Sequence, residues 1–175
     1  MAFSTINKSS DYFNTKTYSG NGSATQAITG VGHQPDWVWI KSRSNLESHM
    51  LSDAVRGSTK RLRSDTNNAE DDLGLNGIQS FNSDGFTTGD GDAMNASGQT
   101  YASWNWKAGT TSGIDTTGAT ITPSSYSFNA TSKMSIIKYT GNNTNNAAVP
   151  HGLGVVPNCI IVKDLSGTEH WAVYH

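Results

Sequence analysis

Short segments of alternating large and small residues, separated by clusters of turn-forming residues, run through most of this chain. In 100–109, "TYASWNWKAG", a period of two places Trp104 and Trp106 on one face of an extended strand, and we expect these large rings to face the core. The period of 3.6 residues that marks an amphipathic helix is not sustained over a normal helix length. The pattern therefore predicts an all-β protein folded as an antiparallel β-sandwich.

Further strands are predicted wherever the same pattern recurs between turn residues. "DWVWIKSR" (36–43) is apolar on both faces, which is typical of a central strand covered on each side. "GIQSFNSDGFTTG" (77–89) indicates two strands joined at "NSDG", because Asp-Gly tolerates the positive φ of a tight turn. A short helix is predicted near 67–74, "NNAEDDLG". The remaining predicted strands lie in 11–20, 48–57, 60–64 and 133–143.

One segment of the sequence occurs twice in similar form. "GVGHQPDWVWIK" (30–41) returns 122 positions later as "GLGVVPNCIIVK" (152–163), with the proline and the final lysine kept. Upstream of each copy, "TYSGNG" (17–22) is matched by "KYTGNN" (138–143), and downstream "ESHML" is matched by "TEHWA". Self-similarity at a fixed distance indicates a repeated structural unit, which at this length is a whole domain.

The repeat predicts a division of the chain into three parts. Residues 1–108 form a first β-sandwich unit, 109–132 form a connector rich in glycine, serine and threonine, and 133–175 form the beginning of a second, related β-unit that is cut off at His175. In an alternative interpretation, the strands from Lys133 onward complete a single sandwich, and the similarity marks two halves of one fold.

Polar but uncharged residues dominate the composition. Serine, threonine, asparagine and glycine occupy 76 of the 175 positions and charged residues only 15 %, which favours turns and exposed strand faces over helices. The net charge of −2 gives no electrostatic reason to expect a nucleic-acid partner. The first residues lack the pattern of a signal peptide, and no segment approaches 18 consecutive apolar residues. We therefore expect synthesis in a cytoplasm, without membrane insertion.

Aromatic and charged residues are the candidates for binding. Tryptophans could stack on carbohydrate rings, although their place within apolar alternation favours core packing. Acidic loops could hold calcium, although turn-forming Asp-Gly chemistry explains them more simply. A basic stretch could bind nucleic acid, although the acids that follow it favour a solvated face or a contact with neighbouring subunits. These candidates are Trp37, Trp39, Trp104, Trp106 and Trp171; Asp84, Asp90 and Asp92 with Glu70, Asp71 and Asp72; and Arg56, Lys60, Arg61 and Arg63.

No arrangement of residues predicts catalysis or a resident cofactor. A serine hydrolase of the G-x-S-x-G type would present its nucleophile on a strained turn, and that motif does not occur. Cys159, the single cysteine, is predicted to be a buried strand residue. We predict no catalytic, cofactor-binding or metal-binding residue. The histidines lack zinc-binding spacing and are predicted to be turn or surface residues: His33, His49, His151, His170 and His175.

An ordered series of motifs resembles repeats found in virion proteins of marine bacteriophages, which are tail-fibre or structural proteins. The motifs cover nearly the whole chain: "YSGNGSATQAITGVGHQPDWVWIKSR", "DAVRGSTKRLRS", "SFNSDGFTTG", "YASWNWKAG", "IIKYTGNN", "HGLGVVPNCIIVK" and "HWAVYH". The resemblance implies a concanavalin-like or jelly-roll sandwich repeated along a fibre or appendage. It transfers no catalytic residues.

The sequence and its resemblance together support a non-enzymatic role. We expect a structural and adhesive component of a bacteriophage virion, a tail fibre or appendage that supports attachment to the host surface. Its expected partners are other virion proteins, further copies of itself in a homotrimer, and host-surface glycans. Two alternatives are a capsid decoration protein on the phage head and a module that binds or degrades polysaccharide, which as an enzyme would need two carboxylates in a cleft.

Overall fold

The computed structural model describes residues 6–175, and these residues form antiparallel strands joined by turns and loops. Two short 3-10 turns, Ser9–Asp11 and Gly74–Asn76, and one short helix accompany the strands. In chain order the elements are β1 (Phe13–Ser19), β2 (Gln26–Thr29), β3 (Trp37–Ser42), β4 (Met50–Asp53), β5 (Gly57–Leu62), β6 (Asp71–Asp72), β7 (Ile78–Asn82), β8 (Gly85–Thr88), α1 (Asp92–Asn95), β9 (Thr100–Trp106), β10 (Ser125–Asn129), β11 (Met134–Lys138), β12 (Ile160–Val162) and β13 (Ala172–Tyr174).

The larger sheet of the first unit has the strand order β1-β9-β3-β4-β5-β6. Although β9 is the last of these strands in the chain, it lies between β1 and β3 and pairs antiparallel with both. One row of directly opposed residues therefore joins Phe13 to Trp106 and Trp106 to Trp37. As predicted, β3 is a central strand, but only one of its faces is buried, because Trp37 and Trp39 on the other face are half-buried.

A smaller sheet, of order β2-β8-β7, packs against one face of the larger sheet. The strands β7 and β8 form the predicted hairpin, with Ser83 and Asp84 in the turn. Apolar residues from both sheets and from α1 fill the space between them, which confirms the all-β antiparallel sandwich; its jelly-roll or concanavalin-like topology stays a prediction. The core residues are Ile28, Val38, Ile40, Met50, Ile78, Phe86, Ala93, Met94 and Tyr101.

The predicted orientation of β9 is wrong. Its buried residues are Tyr101, Ser103 and Asn105, whereas Trp104 and Trp106 are half-buried on the outer face of the sheet. Ser103 and Asn105 tolerate burial because they hydrogen-bond to each other and to the neighbouring strand: the Asn105 side-chain amide donates to the Ser103 hydroxyl and to the Asn14 carbonyl. The tryptophans of β3 follow the same rule, since Val38 and Ile40 occupy its buried face.

Two local predictions also differ from the structure. The helix predicted near 67–74 is absent, because Asp71–Asp72 pairs with β5 as the edge strand β6. The segment 109–132, predicted as a connector, contains the strand β10, which forms a hairpin with β11.

The C-terminal segment that carries β12 and β13 packs against the sandwich. The indole N–H of Trp171 donates to the carbonyl oxygens of Arg63 and Thr66, and the Glu70 amide donates to the Leu165 carbonyl. These contacts place the segment around β12 and β13 beside the loop that follows β5.

A buried aspartate joins the larger sheet to the hairpin β10–β11. The Asp36 carboxylate accepts hydrogen bonds from the Ala108 amide and the Ser127 hydroxyl, each at 2.9 Å. The Asp36 backbone also bridges two strand ends, donating to the Trp106 carbonyl and accepting from the Ala54 amide. Through its side chain and its backbone, this one residue ties the start of β3 to the ends of β4 and β9 and to the strand β10.

The sequence repeat is also a structural repeat. In the first unit β3 pairs with β4 through Val38 and Ser52, Trp39 and Leu51, and Ile40 and Met50. Adding 122 to each number gives the three pairs that join β12 to β13. These are Ile160 with Tyr174, Ile161 with Val173, and Val162 with Ala172. The division into two units is a prediction that this shared register supports.

Gly85 provides a test of the sandwich packing. Its φ is +144°, and a Cβ added there would lie 2.0 Å from the Ile28 carbonyl oxygen. We expect G85A to lower the free energy of unfolding by about 3 kcal/mol, because steric overlap adds to backbone strain.

The matched control is G98A, measured with G85A by urea denaturation. Gly98 also has a positive φ, +76°, but an added Cβ would meet nothing within 4 Å. G98A should lower the free energy of unfolding by about 1 kcal/mol, which is the cost of the backbone conformation alone. Equal losses in the two variants would contradict the close approach of β8 to β2.

Candidate interaction surfaces

Aromatic rings form a ladder across the outer face of the larger sheet. The rings of Phe13 and Trp106 have centroids 4.9 Å apart, and Trp106 and Trp37 stack at 4.6 Å with planes 26° apart. In the next row Trp39 meets Trp104 edge to face at 6.3 Å. Cross-strand aromatic pairs of this kind stabilise a sheet by direct side-chain contact.

The ladder geometry decides how these rings can interact with other molecules. Trp106 lies between Phe13 on β1 and Trp37 on β3, so neighbouring rings occupy both of its faces. A carbohydrate ring stacks on an open aromatic face, which Trp106 does not offer. The indole N–H groups of Trp37, Trp104 and Trp106 have no acceptor among residues 6–175. Trp106 is therefore a poor stacking platform for a carbohydrate ring.

Trp39 is fixed by a histidine. Its indole N–H donates to Nδ1 of His49 at 2.7 Å, and the His49 ring packs edge to face on Trp39 at 5.6 Å. Nδ1 is an acceptor in this bond, so the proton of the neutral imidazole is on Nε2. His49 thus acts as a structural partner of the aromatic ladder, which the sequence did not indicate.

The basic and acidic candidates neutralise each other. Arg56 is buried, and its guanidinium forms ion pairs with Asp53 and Glu70 and donates to the Leu51 carbonyl. At the sheet edge the β5–β6 pairing sets Lys60 opposite Asp72 and Arg61 opposite Asp71. The predicted basic surface is therefore internally paired.

Hydrogen bonds and neighbouring cations hold the pKa of both edge aspartates below the usual range. For Asp72 the amide of Gly74 is the main cause, followed by the Lys60 ammonium and the Thr59 hydroxyl, and the pKa is about 2. For Asp71 the main cause is the Arg61 guanidinium, with a further contribution from Arg63.

The remaining acidic candidates occupy loops. The Asp84 carboxylate accepts the amide N–H groups of Gly30 and Gly32, which lowers its pKa and ties the β7–β8 turn to the loop after β2. Asp90 and Asp92 are exposed around the start of α1. No group of three metal-ligating side chains occurs among the described residues.

The histidines and the single cysteine do not form one cluster. His33 is buried, with Nδ1 3.0 Å from the Ser10 carbonyl oxygen, whereas His170 and His175 are exposed. Cys159 is exposed just before β12, so its predicted burial in a strand is wrong. A surface depression of about 450 Å³ has Asp115 and His151 as the ionisable residues in its lining.

The hairpin β12–β13 exposes apolar side chains on both faces. Ile160, Ile161 and Val162 are 43 %, 47 % and 39 % exposed, and Val173 and Tyr174 on the paired strand are 63 % and 67 % exposed. Soluble proteins rarely leave so many neighbouring apolar side chains in water without a partner. The repeated sequence did not predict this, because the equivalent strands of the first unit are buried on at least one face.

One protein family matches almost the whole chain. A family described as "Domain of unknown function (DUF7483)" matches residues 8–175. The chain belongs to this family. The match runs through both units of the chain, including β10 and the β12–β13 hairpin. Comparison with curated proteins and with solved structures gave no match. In the described part of the chain no helix is long and apolar enough to cross a membrane.

The buried ion pairs of Arg56 generate a prediction on stability. R56A removes the guanidinium and leaves the Asp53 carboxylate, 7 % exposed, without its cation. We expect the free energy of unfolding to fall by about 3 to 5 kcal/mol, because an unpaired buried charge is costly. Urea denaturation of the purified variant measures it.

R63A is the matched control for R56A. Arg63 contacts Asp71 at 3.1 Å through a single pair that is partly exposed. R63A should lower the free energy of unfolding by less than about 1 kcal/mol. A similar loss in both variants would show that burial of the Arg56 network contributes little.

The depressed pKa of Asp72 generates a prediction on acid stability. Asp72 has a pKa of about 2 in the folded protein and about 3.9 in an unfolded chain, so its contribution is complete above pH 4 and is lost as the pH falls toward 2. The melting temperature of the unmodified protein should therefore exceed that of D72N most at pH 6, and the difference should shrink by pH 2. Calorimetry across this range tests it, and a constant difference would contradict the assignment.

Proposed function

We propose that the chain is a non-enzymatic structural and adhesive component of a bacteriophage virion, a tail-fibre or appendage protein that supports attachment to the host surface. The observation that carries the proposal is the exposed apolar hairpin β12–β13 beside a completed sandwich. Such a surface is suited to burial against a neighbouring subunit, as assembly of a particle requires. The phage context rests on the resemblance of the motifs.

The pairing of basic side chains within the chain supports an assembly role. The cations Arg56, Lys60, Arg61 and Arg63 are all paired with carboxylates of the same chain. Contacts with partners would then depend on apolar packing and hydrogen bonding, which salt screens far less than surface charge. The proposed partners are other virion proteins, further copies in a homotrimer, and host-surface glycans.

The structure also supports the non-enzymatic part of the proposal. The carboxylate of Asp84 is occupied by backbone amides, and those of Asp71 and Asp72 are occupied by cations. A glycosidase needs one carboxylic acid whose pKa is raised so that it can donate a proton. The pKa values of these three carboxyls are shifted downward.

The location of the chain in the particle tests the proposal. Gold-labelled antibody raised against the purified chain, applied to virions of the encoding phage, should label the tail or its appendages. Label on the head lattice would instead support the capsid decoration alternative. Absence of the chain from purified particles, measured by mass spectrometry, would contradict both, and release of reducing sugar from host polysaccharide by the purified chain would support the polysaccharide-degrading alternative.

A further inference from the structure

Two backbone amides of the first unit bind a carboxylate. The N–H groups of Gly30 and Gly32 donate to the two oxygens of the Asp84 side chain, at 2.9 and 2.6 Å. Both glycines have a positive φ, +82° and +88°, and Val31 between them is buried. Backbone N–H groups that converge in this way make a concave site for an anion. The loop 30–32 is therefore a carboxylate-binding element built from main chain alone.

The repeated segment contains the same loop. Adding 122 to the residue numbers gives Gly152, Leu153 and Gly154. The two glycines again have a positive φ, +69° and +67°, and Leu153 between them is again buried. Glycine suits both positions because it adopts a left-handed backbone without the steric cost that a Cβ adds. The two loops thus share sequence, backbone conformation at the glycines and burial of the middle residue.

The glycine amides of the second loop are unpaired. Among residues 6–175, no atom accepts a hydrogen bond from the backbone N–H of Gly152 or of Gly154. The Leu153 amide between them donates to Nδ1 of His151 at 3.2 Å. Because the loop repeats the conformation that converges on Asp84 in the first unit, we expect these two donors to converge as well.

A lysine ammonium lies beside each loop. In the first unit, a Cβ added to Gly30 would lie 2.7 Å from Nζ of Lys16. In the second, Nζ of Lys133 donates to the Leu153 carbonyl at 2.9 Å. A positive charge at this distance favours a negative charge at the neighbouring amides. The second loop therefore combines unpaired donors with the charge that an anion requires.

The second loop also borders open space. Gly152 and Gly154 line the surface depression of about 450 Å³, which falls within the range of about 300 to 1,000 Å³ that is typical of small-molecule sites. His151 lines it too, and since its Nδ1 accepts a hydrogen bond, the neutral ring carries its proton on Nε2 as a further donor. Asp115 is the acidic residue of the lining, and its carboxylate accepts the Thr117 amide.

We infer that the loop 152–154 is a binding site for a carboxylate group, which the amides of Gly152 and Gly154 hold and the Lys133 ammonium favours. The Asp84 carboxylate in the first unit shows the mode of binding. A sugar acid and an aspartate side chain present the same two oxygens, so the inference concerns the carboxylate from either source. It goes beyond the proposed assembly role and does not depend on the hairpin β12–β13.

Titration of the isotope-labelled chain with sodium acetate, followed by NMR at constant ionic strength, tests the site. The amide resonances of Gly152 and Gly154 should shift together and saturate. Those of Gly30 and Gly32 are the internal control and should not move, because the Asp84 carboxylate already occupies them. The inference is overturned if the Gly152 and Gly154 resonances do not respond, or if sodium chloride shifts them as much as acetate does.

Variants of two charged residues test the electrostatics of the site. K133Q removes the ammonium and should weaken acetate binding about threefold, whereas D115N removes a like charge and should strengthen it about threefold. K138Q is the matched control, because it changes the net charge equally but lies at the other end of β11, and the affinity should be unchanged. Equal weakening by K133Q and K138Q, or weakening by D115N, would contradict the assignment.

Two matched pairs of ligands distinguish the sources of the carboxylate. One pair is glucuronate and glucose; the other is the peptide of residues 81–86, "FNSDGF", and the same peptide with D84N. Tighter binding of glucuronate than of the peptide would assign the site to a sugar acid, and the reverse would assign it to an aspartate side chain. If glucose and the D84N peptide shift the Gly152 and Gly154 resonances as much as their charged counterparts, no carboxylate is recognised and the inference fails.

Discussion

The insertion of β9 between β1 and β3 is the constraint on which the first unit depends. Its pairing with β1 sets Phe13 opposite Trp106, so the larger sheet forms only when the two ends of the unit come together. Contacts this distant in sequence carry a large loop-closure entropy, which cooperative pairing on both edges of β9 offsets. The buried Asp36 hydrogen bonds and the tyrosine hydroxyl of Tyr101, which donates to the Asp92 carbonyl, then hold both ends of the strand.

The hairpin β12–β13 offers a comparison with this arrangement. Its strands β12 and β13 repeat the register of β3 and β4, and no described strand takes the place of β9. Among residues 6–175, the apolar side chains of this hairpin are correspondingly exposed. Among the described residues, the lack of a strand in the position of β9 accounts for both the free backbone edge and the exposed apolar surface.

The outward surfaces of the two units are of different kinds. The aromatic ladder of the first unit is consolidated by its own ring contacts and by the Trp39 to His49 hydrogen bond, so it chiefly stiffens the sheet. The ionic side chains at the β5–β6 edge are paired within the chain. Among the described residues, the apolar side chains of the hairpin β12–β13 lack such partners. Their exposure is therefore what the binding of a partner would reduce most.

The alternation of residue types by itself determined the all-β class, most strand positions, the β7–β8 turn and the repeat, because a period of two and Asp-Gly turn chemistry are local properties. It could not determine which face of β9 is buried. That depends on the small sheet, whose Phe86 and Ile78 fill the core beside Tyr101 and leave the tryptophans outside. Tertiary structure likewise decided that the basic and acidic segments pair with each other and that Cys159 is exposed. Each of these outcomes depends on neighbours brought together by strand order, which local sequence does not contain.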